Sequence, residues 1–483
     1  MTAFLISLAV LVAGYVLYGL LTERIFGIDK NRETPAYSQR DGIDYIPMPT
    51  WKVFLIQFLN IAGLGPIFGA IMGVMYGPAS FIWIVAGTIF GGAVHDYVSA
   101  MMSLRSGGLS LPELVGDQLG LGIKQLMRVF SVLLMILVGS VFVFTPADII
   151  AGMTPESLDR TFWIVVIFAY YILATLMPID KIIGRFYPIF GVALLFMAVA
   201  LLVILFVGGH DIPVGFEDGL ASRYGDDAHP VFPMMFVSIA CGAISGFHGT
   251  QSPMMARCLK NERLARPVFY GAMVAEGLVA LIWAAATIAF TGGYGELKAF
   301  FADGGTPGAL VHNISMTWLG GLGGVLALLG VVAAPITTGD TALRSARLIA
   351  ADMLKVSQKT LVRRLAVSIP LFGLAFVVMM IDFNVLWRYF AWCNQTLAMF
   401  TLWAASVYLA RHHKAYIITL IPALFMTMTC LTYLLFARSP EGLGLDYNVA
   451  FIVAGCVSAA CLTLFVRYVV RLNTGVIKDE VRY

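Results

Sequence analysis

Several titratable side chains stand out because they fall inside long apolar stretches of the sequence. His95 and Asp96 are adjacent, His248 lies within FVSIACGAISGFHGTQSPMMARC, and Glu276 lies in the middle of a later apolar run. Ionisable groups within membrane-spanning segments are rare and are functional by default, and an imidazole titrates near neutral pH. His95 and Asp96 are therefore candidates for a proton relay.

Each of these side chains also has a structural interpretation. Adjacent residues of a helix point in different directions, so we expect His95 and Asp96 to serve different partners, with Asp96 able to pair with an arginine of an inner loop. His248 could donate to a carboxylate, titrate, or bond freed backbone carbonyls. Glu276 could hold a proton, bind an amine, or bond a neighbouring helix. The sequence leaves these alternatives open.

Composition places these residues in a membrane protein. Of the 483 residues, 59% are hydrophobic and only 12% are charged, and the mean hydropathy is +0.86. A soluble globular chain carries about 25% charged residues. The formal net charge of +3 gives no indication of a nucleic-acid partner. We expect membrane lipids to surround the chain.

Thirteen apolar runs are long enough to cross a ~30 Å hydrocarbon core as helices. They lie at about 3–21, 51–75, 79–103, 126–150, 162–180, 186–207, 231–255, 268–291, 320–343, 366–382, 385–409, 415–436 and 449–468. The predicted fold class is an all-α, multi-pass membrane protein with about thirteen transmembrane helices.

The distribution of basic residues predicts how these helices are oriented. With the N-terminus placed outside, twenty-three Lys and Arg residues fall in the inner loops and four in the outer loops. Such an excess is typical of cytoplasmic loops. We expect a plasma (inner) membrane protein with its N-terminus outside and its C-terminus in the cytoplasm.

The second apolar run is a poor helix at its centre, NIAGLGP (60–66). Each interior glycine costs ~1 kcal/mol and an interior proline ~3 kcal/mol, and Pro66 lacks the amide that would bond the carbonyl of Ala62. Unwound backbone is tolerated in a membrane only where it is buried in protein or lines a cavity. The alternative is a packing helix with a small-residue ridge at Gly65, Gly69 and Gly73.

The seventh run, 231–255, repeats this anomaly. It is interrupted by Gly242, Gly246, Gly249 and Pro253. The two broken runs are five spans apart and cross the membrane in opposite directions, which indicates an inverted-repeat secondary transporter. We predict two five-helix repeats, preceded by one peripheral helix and its inner loop and followed by two helices and a tail. The predicted boundaries are 1–50, 51–208, 209–410 and 411–483.

Several motifs are similar to known transporters. NIAGLGP resembles the unwound first core helix of the bacterial leucine transporter fold. Four further stretches resemble the carbon starvation protein A family: GTIFGGAVHDYVSAMMSLRSGGLSLPEL (87–114), ISGFHGTQSPMMARCL (244–259), ITTGDTALRSARLIAAD (336–352) and LWRYFAWCNQTLA (386–398). The resemblance implies a transporter of the amino acid–polyamine–cation superfamily. The family is associated with peptide uptake during starvation, and relatives import pyruvate.

The resemblance to the leucine transporter fold also implies an ion site. The fold's second sodium site takes carbonyls from its first core helix, and a carbonyl and two adjacent hydroxyls from its eighth. The matching positions here are Leu59, Ala62, Ala334, Thr337 and Thr338. The alternative is that the two hydroxyls bond back to carbonyls of their own helix. Sodium is the first expected coupling ion and the proton the second, and we expect no other cofactor.

Asp340 follows these hydroxyls and is a candidate proton carrier. We favour a structural interpretation, in which Asp340 pairs with Arg344 four residues later. Arg344 and Arg347 would then lie in water near the inner face.

A substrate is expected between the two breaks, because unwound half-helices offer amide ends that favour a carboxylate. A carboxylate is shared by pyruvate and by a peptide C-terminus. The predicted substrate-binding residues are Gly63, Gly65, Pro66, Gly246, His248, Gly249, Gln251, Ser252 and Glu276.

The sequence contains no Walker A motif, no H-E-x-x-H and no G-x-S-x-G within a span, so we expect neither an ATP-driven pump nor an enzyme. We predict a secondary active importer of small carboxylated nutrients, with peptides as the first substrate class and pyruvate with proton symport as the second. A passive channel or a nutrient sensor with the same fold is the rival class.

Overall fold

A computed structural model describes residues 1–151, 154–176, 183–358, 360–381 and 383–475 of the chain. The secondary structure of these residues is helical, with no β-strand among them. This confirms the predicted all-α class.

Eighteen helices form the architecture of the described residues, apart from the single helical turn Pro35–Ser38 and several short 3₁₀ and π segments. In chain order they are α1 (Thr2–Phe26), α2 (Thr50–Ile61), α3 (Gly65–Gly73), α4 (Ala79–Arg105), α5 (Leu111–Leu119), α6 (Leu121–Ala151), α7 (Arg160–Leu176), α8 (Ile183–Val207), α9 (Phe236–Ser238), α10 (His248–Ala256), α11 (Gly271–Thr291), α12 (Tyr294–Ala302), α13 (Pro307–Leu326), α14 (Ala333–Leu354), α15 (Leu361–Val378), α16 (Phe383–Arg411), α17 (Ile417–Phe436) and α18 (Tyr447–Asn473).

Most of the predicted spans correspond to long apolar helices. Nine helical stretches of the described residues are long and apolar enough to cross a membrane, and the pair α2 and α3, bent by 44°, makes a tenth. The three other predicted spans correspond to the shorter helix α7, to the broken segment around α9 and α10, and to α16. The total of thirteen spans stays a prediction, as do the domain boundaries. Residues 476–483 of the predicted tail lie outside the described residues.

The peripheral helices differ from the central ones in what covers their side chains. Only 17% of the apolar window of α1 and 22% of that of α18 is buried within the protein, against 78% for α4. An apolar face of this length must be covered by hydrocarbon. The fold is therefore that of a multi-pass membrane protein, with α1 and α18 at the lipid-facing edge.

The two predicted breaks pack directly against each other. A Cβ atom added at Gly65 would lie 2.1 Å from the Cβ of Cys241, and one added at Gly73 would lie 2.1 Å from Cγ1 of Ile239. Between them, Gly69 faces the backbone carbonyls of Ser238 and Cys241. The small-residue ridge of α3 therefore exists, and it packs against the second break. The unwound-helix and packing-ridge interpretations are both correct.

Candidate functional site

The second break lies between the end of α9 at Ser238 and the start of α10 at His248. Gly242 has a φ of +93°, a left-handed conformation that favours glycine. A side chain at Gly246 would lie 2.3 Å from the backbone of Asn394, so the chain can pass α16 only without one.

Side chains from other helices satisfy the backbone that the second break releases. Asn394 Oδ1 accepts hydrogen bonds from the Phe247 amide (2.6 Å) and the Ser245 hydroxyl (3.0 Å). Glu276 Oε1 accepts from the Gly242 amide at 3.0 Å, and Thr88 Oγ1 donates to the Gly242 carbonyl at 2.9 Å. The break is thus held open by α4, α11 and α16.

Four titratable side chains meet beside this break and form an acid–imidazole cluster: His95, Asp96, His248 and Glu276. All four are 0% exposed. One carboxylate oxygen of Asp96 lies 2.8 Å from Nδ1 of His95, and the other lies 3.1 Å from Nδ1 of His248. Nε2 of His248 lies 3.4 Å from Oε2 of Glu276. The cluster joins three helices, because its members come from α4, α10 and α11.

The prediction that His95 and Asp96 serve different partners is wrong. The imidazole of His95 turns back onto the adjacent carboxylate, and Asp96 bridges it to His248. The expected partner for Asp96, an arginine of an inner loop, is replaced by two imidazoles. Among the described residues, Nε2 of His95 has no hydrogen-bond partner, and Nε2 of His248 and Oε2 of Glu276 have only their 3.4 Å approach to each other. The cluster therefore retains positions at which protons can be held.

Two carboxylates and two neutral imidazoles would carry two negative charges. Removing an ion from water costs several kcal/mol unless a partner compensates it. Each imidazole that binds a proton cancels one of these charges. Different numbers of bound protons thus favour different contacts between α4, α10 and α11.

The predicted sodium-binding positions are also brought together, at the first break. The hydroxyl of Thr338 lies 3.2 Å from the Leu59 carbonyl and 3.0 Å from the Ala334 carbonyl. The Thr337 hydroxyl donates to Ala334 at 2.7 Å, so both threonines bond back to their own helix as well. α2 ends at Ile61, and the carbonyl of the next residue, Ala62, cannot receive a bond from Pro66, which has no amide hydrogen. We call these five residues the oxygen site.

Asp340 is buried and accepts a hydrogen bond from the Tyr187 hydroxyl at 2.5 Å. Arg344 donates to the Ala174 carbonyl at 2.6 Å and lies 4.0 Å from Asp44. The prediction that Arg344 and Arg347 lie in water is wrong, because both are almost completely buried. The sequence could not reveal this, because the covering helix and loop are distant in the chain.

The other predicted substrate-binding residues lie around the two sites. Gly249 faces the ring of His95, and Gly63 faces the Thr338 hydroxyl, so neither tolerates a side chain without displacement. Gln251 donates to Thr250 (2.9 Å), and Ser252 accepts from Gln57 (3.1 Å). The first amides of α10, expected to meet a carboxylate, bond the carbonyls of residues 245–247 in this conformation.

Sequence reasoning missed three polar residues that the structure places at the breaks. Gln57 links α2 to α10, and Thr88 links α4 to the second break. Asn60 is fully buried, and neither amide atom has a hydrogen-bond partner among the described residues. Its position within NIAGLGP was the available signal, because a polar side chain buried beside unwound backbone needs a hydrogen-bond partner.

The sequence profile of the family described as carbon starvation protein CstA matches residues 1–200 and 148–321. A protein of Haemophilus influenzae described as an uncharacterized membrane protein is 42% identical over 335 residues, covering 59% of this chain and 90% of its own length.

Several relatives have functional names, and two of them illustrate the range. The peptide transporter CstA of Campylobacter jejuni is 28% identical, over 57% of this chain and 48% of its own length. The pyruvate/proton symporter BtsT of Escherichia coli is 27% identical, over 57% of this chain and 47% of its own. The chain thus spans about half the length of the named transporters that it matches.

Solved structures show the same fold at low identity. The manganese transporter of Eremococcus coleocola has a TM-score of 0.57 at 12% identity, covering 90% of this chain and 99% of its own. A Na⁺-coupled sialic acid symporter has a TM-score of 0.52 at 13% identity, covering 94% and 96%. These similarities confirm the predicted leucine-transporter-like fold.

Proposed function

The chain belongs to the carbon starvation protein CstA family, and we propose that it is a secondary active transporter that imports small carboxylated nutrients in symport with protons. The acid–imidazole cluster is the observation that carries this proposal. Peptides are the first substrate class, because relatives bear that name. Pyruvate is the alternative, which the name of one relative supports.

The position of the cluster supports proton coupling. His248 is the first residue of α10, and its two ring nitrogens face Asp96 of α4 and Glu276 of α11. Any movement of the second break changes both contacts. Protonation of the cluster and the position of α10 are therefore linked, which is the requirement for coupling a proton to alternating access.

Substrate binding at the same break would complete the coupling. Glu276 bonds the Gly242 amide through one oxygen and faces His248 through the other. A ligand carboxylate that competed for the Gly242 amide would release Glu276 and change the charge balance of the cluster. We propose this exchange as the step that links substrate to proton.

Sodium is a second candidate for the coupling ion. The Thr338 hydroxyl approaches the carbonyls of Leu59 and Ala334, and these contacts join α14 to the first break. This observation favours sodium. A sodium ion is coordinated by several oxygen ligands of this kind. A sodium ion here would hold α2 and α14 together.

Uptake into proteoliposomes tests the proposal. Labelled trialanine and labelled pyruvate are each supplied with an inward proton gradient, an inward sodium gradient, or neither. We expect accumulation above the external concentration under the proton gradient in sodium-free buffer. Equilibration without accumulation would support a channel, and no flux of either compound would support a sensor. Accumulation driven only by sodium would transfer the coupling role to the oxygen site.

We further propose a plasma (inner) membrane location with the N-terminus outside. The excess of basic residues in one set of loops supports this orientation. Cysteine labelling tests this orientation with the variants Asp303→Cys and Arg263→Cys, which change exposed residues predicted to lie on opposite sides of the membrane. In intact cells, an impermeant thiol reagent should label the Asp303→Cys variant and not the Arg263→Cys variant.

A further inference from the structure

A cavity of about 1490 Å³ lies above the second break and is not used by the proposed coupling. Its base includes Met72 of α3 and Val237 and Ser238 of α9. These residues belong to the half-helices that flank the two breaks. The cavity therefore ends at the breaks, on the side of the molecule that the basic residues predict to be outside. We call it the outer cavity.

The outer cavity is larger than a small carboxylate requires. Pockets for drug-sized ligands have volumes of about 300–1,000 Å³, and pyruvate has only six non-hydrogen atoms. Aromatic side chains form much of the wall, including Tyr76, Tyr224, Trp387 and Tyr433. A wall of this kind suits a longer ligand with apolar side groups.

Most charged groups of the outer cavity already have partners. Arg388 pairs with Glu441 at 2.7 Å, and Asp446 caps the N-terminus of α18. Asp226 accepts from the amides of its own turn and lies 2.7 Å from Nδ1 of His229. The hydrogen bond from His229 lowers the pKa of Asp226, so this carboxyl stays ionised at neutral pH.

Two charged groups of the wall remain available. Within the described ranges, neither the carboxylate of Asp227 nor the guanidinium of Arg438 has a hydrogen bond or an ion pair. Asp227 lies on the segment between α8 and α9, and Arg438 lies on the loop between α17 and α18. The cavity thus presents one free acid beside the ionised Asp226, and one free base on a different segment.

We propose that the outer cavity is a docking site for short peptides, which bind with the amino end at Asp227 and the carboxyl end at Arg438. This inference rests on the proposed function and names how its substrate class is selected. A peptide carries opposite charges at its two ends, which matches the two free groups. Pyruvate carries only a negative charge and would meet four acids but two arginines in this wall.

Binding to the purified full-length protein in detergent tests the inference without requiring transport. The ligands are labelled trialanine, N-acetyl-trialanine, trialanine amide and pyruvate. We expect trialanine to bind more tightly than each of the other three. The Asp227→Asn change should weaken trialanine binding about two- to fivefold, as for an exposed ion pair, and leave N-acetyl-trialanine unchanged. Arg438→Gln should do the same for trialanine and leave trialanine amide unchanged.

Matched controls are Asp303→Asn and Arg263→Gln, which change exposed residues outside the cavity and should alter no affinity. Equal binding of trialanine and N-acetyl-trialanine would overturn the inference, as would unchanged affinity in both cavity variants. Binding of short-chain phosphatidylethanolamine in place of trialanine would assign the cavity to a lipid headgroup and also overturn it.

The binding experiment and the uptake experiment can overturn the docking site and the proposed symport independently of each other. Selective trialanine binding without proton-driven uptake would sustain the docking site and overturn the proposed symport. Proton-driven uptake with no selection for peptide ends would sustain symport and overturn the docking site.

Discussion

The two breaks interrupt their helices by similar means, but different side chains face them. Gly63, Gly65 and Pro66 unwind the first break, and the hydroxyls of α14 face it. Gly242 and Gly246 unwind the second break, and carboxylates and imidazoles face it.

Unwinding frees backbone amides and carbonyls at both breaks, so the side chains that face each break determine whether it can ligate a cation or exchange protons. Neutral oxygens at the first break can ligate a cation but cannot exchange protons near neutral pH. The second break holds groups that can. We therefore propose ion ligation at the first break and proton exchange at the second.

The largest effect is expected from His248→Ala at the second break. The change leaves Asp96 and Glu276 buried without the imidazole between them, and an uncompensated buried charge costs about 3–5 kcal/mol of unfolding free energy. We expect a lower melting temperature in detergent and loss of proton-driven uptake. Adding Glu276→Gln removes one of the two charges and should recover stability without recovering uptake.

The control for this change is His312→Ala, which alters an exposed histidine of α13. It should change neither property. Full proton-driven uptake by His248→Ala would exclude the second break from proton exchange.

A smaller effect is expected from Gly65→Ala, which tests whether the breaks depend on each other. The added Cβ would overlap Cys241, and overpacking typically costs about 1–3 kcal/mol. The melting temperature should fall, and Cys241→Gly in the same chain should restore it. Gly455→Ala on α18, where a Cβ meets no atom within 4 Å, is the matched control and should not destabilise. Equal melting temperatures for both alanine variants would mean that the breaks do not pack as described.

Thr338→Ala should affect the first break alone. It removes the hydroxyl whose one hydrogen is shared between the carbonyls of Leu59 and Ala334, and losing one hydrogen bond costs about 1 kcal/mol. We expect proton-driven uptake to persist and any stimulation by sodium to disappear. Thr463→Ala, which removes a hydroxyl bonded to its own exposed helix, should leave both unchanged. If Thr338→Ala lost proton-driven uptake while Thr463→Ala kept it, the proposed separation of ion ligation at the first break from proton exchange at the second would be contradicted.

The smallest change in stability is expected for Asn60→Leu. The amide of Asn60 is buried without partners among the described residues, so it has lost its hydrogen bonds to water without replacement. An apolar side chain of similar shape removes this desolvation cost. The melting temperature should not fall, while the KM for uptake should rise because the amide is available for a ligand. An unchanged KM would show that Asn60 has no role at the first break.

Much of the fold could be predicted because its signals are local. Apolar runs, basic loops and the glycine–proline interruptions at 60–66 and 242–253 are properties of short segments. The structure confirms the helical class and the fold. The resemblance to the leucine transporter fold likewise implied that Thr338 approaches Leu59, and the structure places the Thr338 hydroxyl 3.2 Å from the Leu59 carbonyl.

The site was harder to predict because its contacts cross the fold. Nothing near His248 in the sequence indicates that Asp96 and Glu276 lie on either side of its ring. The burial of Arg344 and Arg347 depends on packing against segments that are distant in the chain. The part of α14 that the sequence predicted to lie in water is therefore buried within the protein. The roles of the predicted site residues stay predictions until variants are measured.

The most direct test of the central claim is substrate-dependent proton entry into proteoliposomes loaded with a pH-sensitive dye, in sodium-free buffer. Trialanine and pyruvate are added in turn, to the wild type and to the His248→Gln variant. Proton coupling at the acid–imidazole cluster predicts that at least one substrate acidifies the lumen in the wild type and that neither does so in the variant. Substrate entry without acidification in the wild type, or equal acidification in the variant, would contradict it.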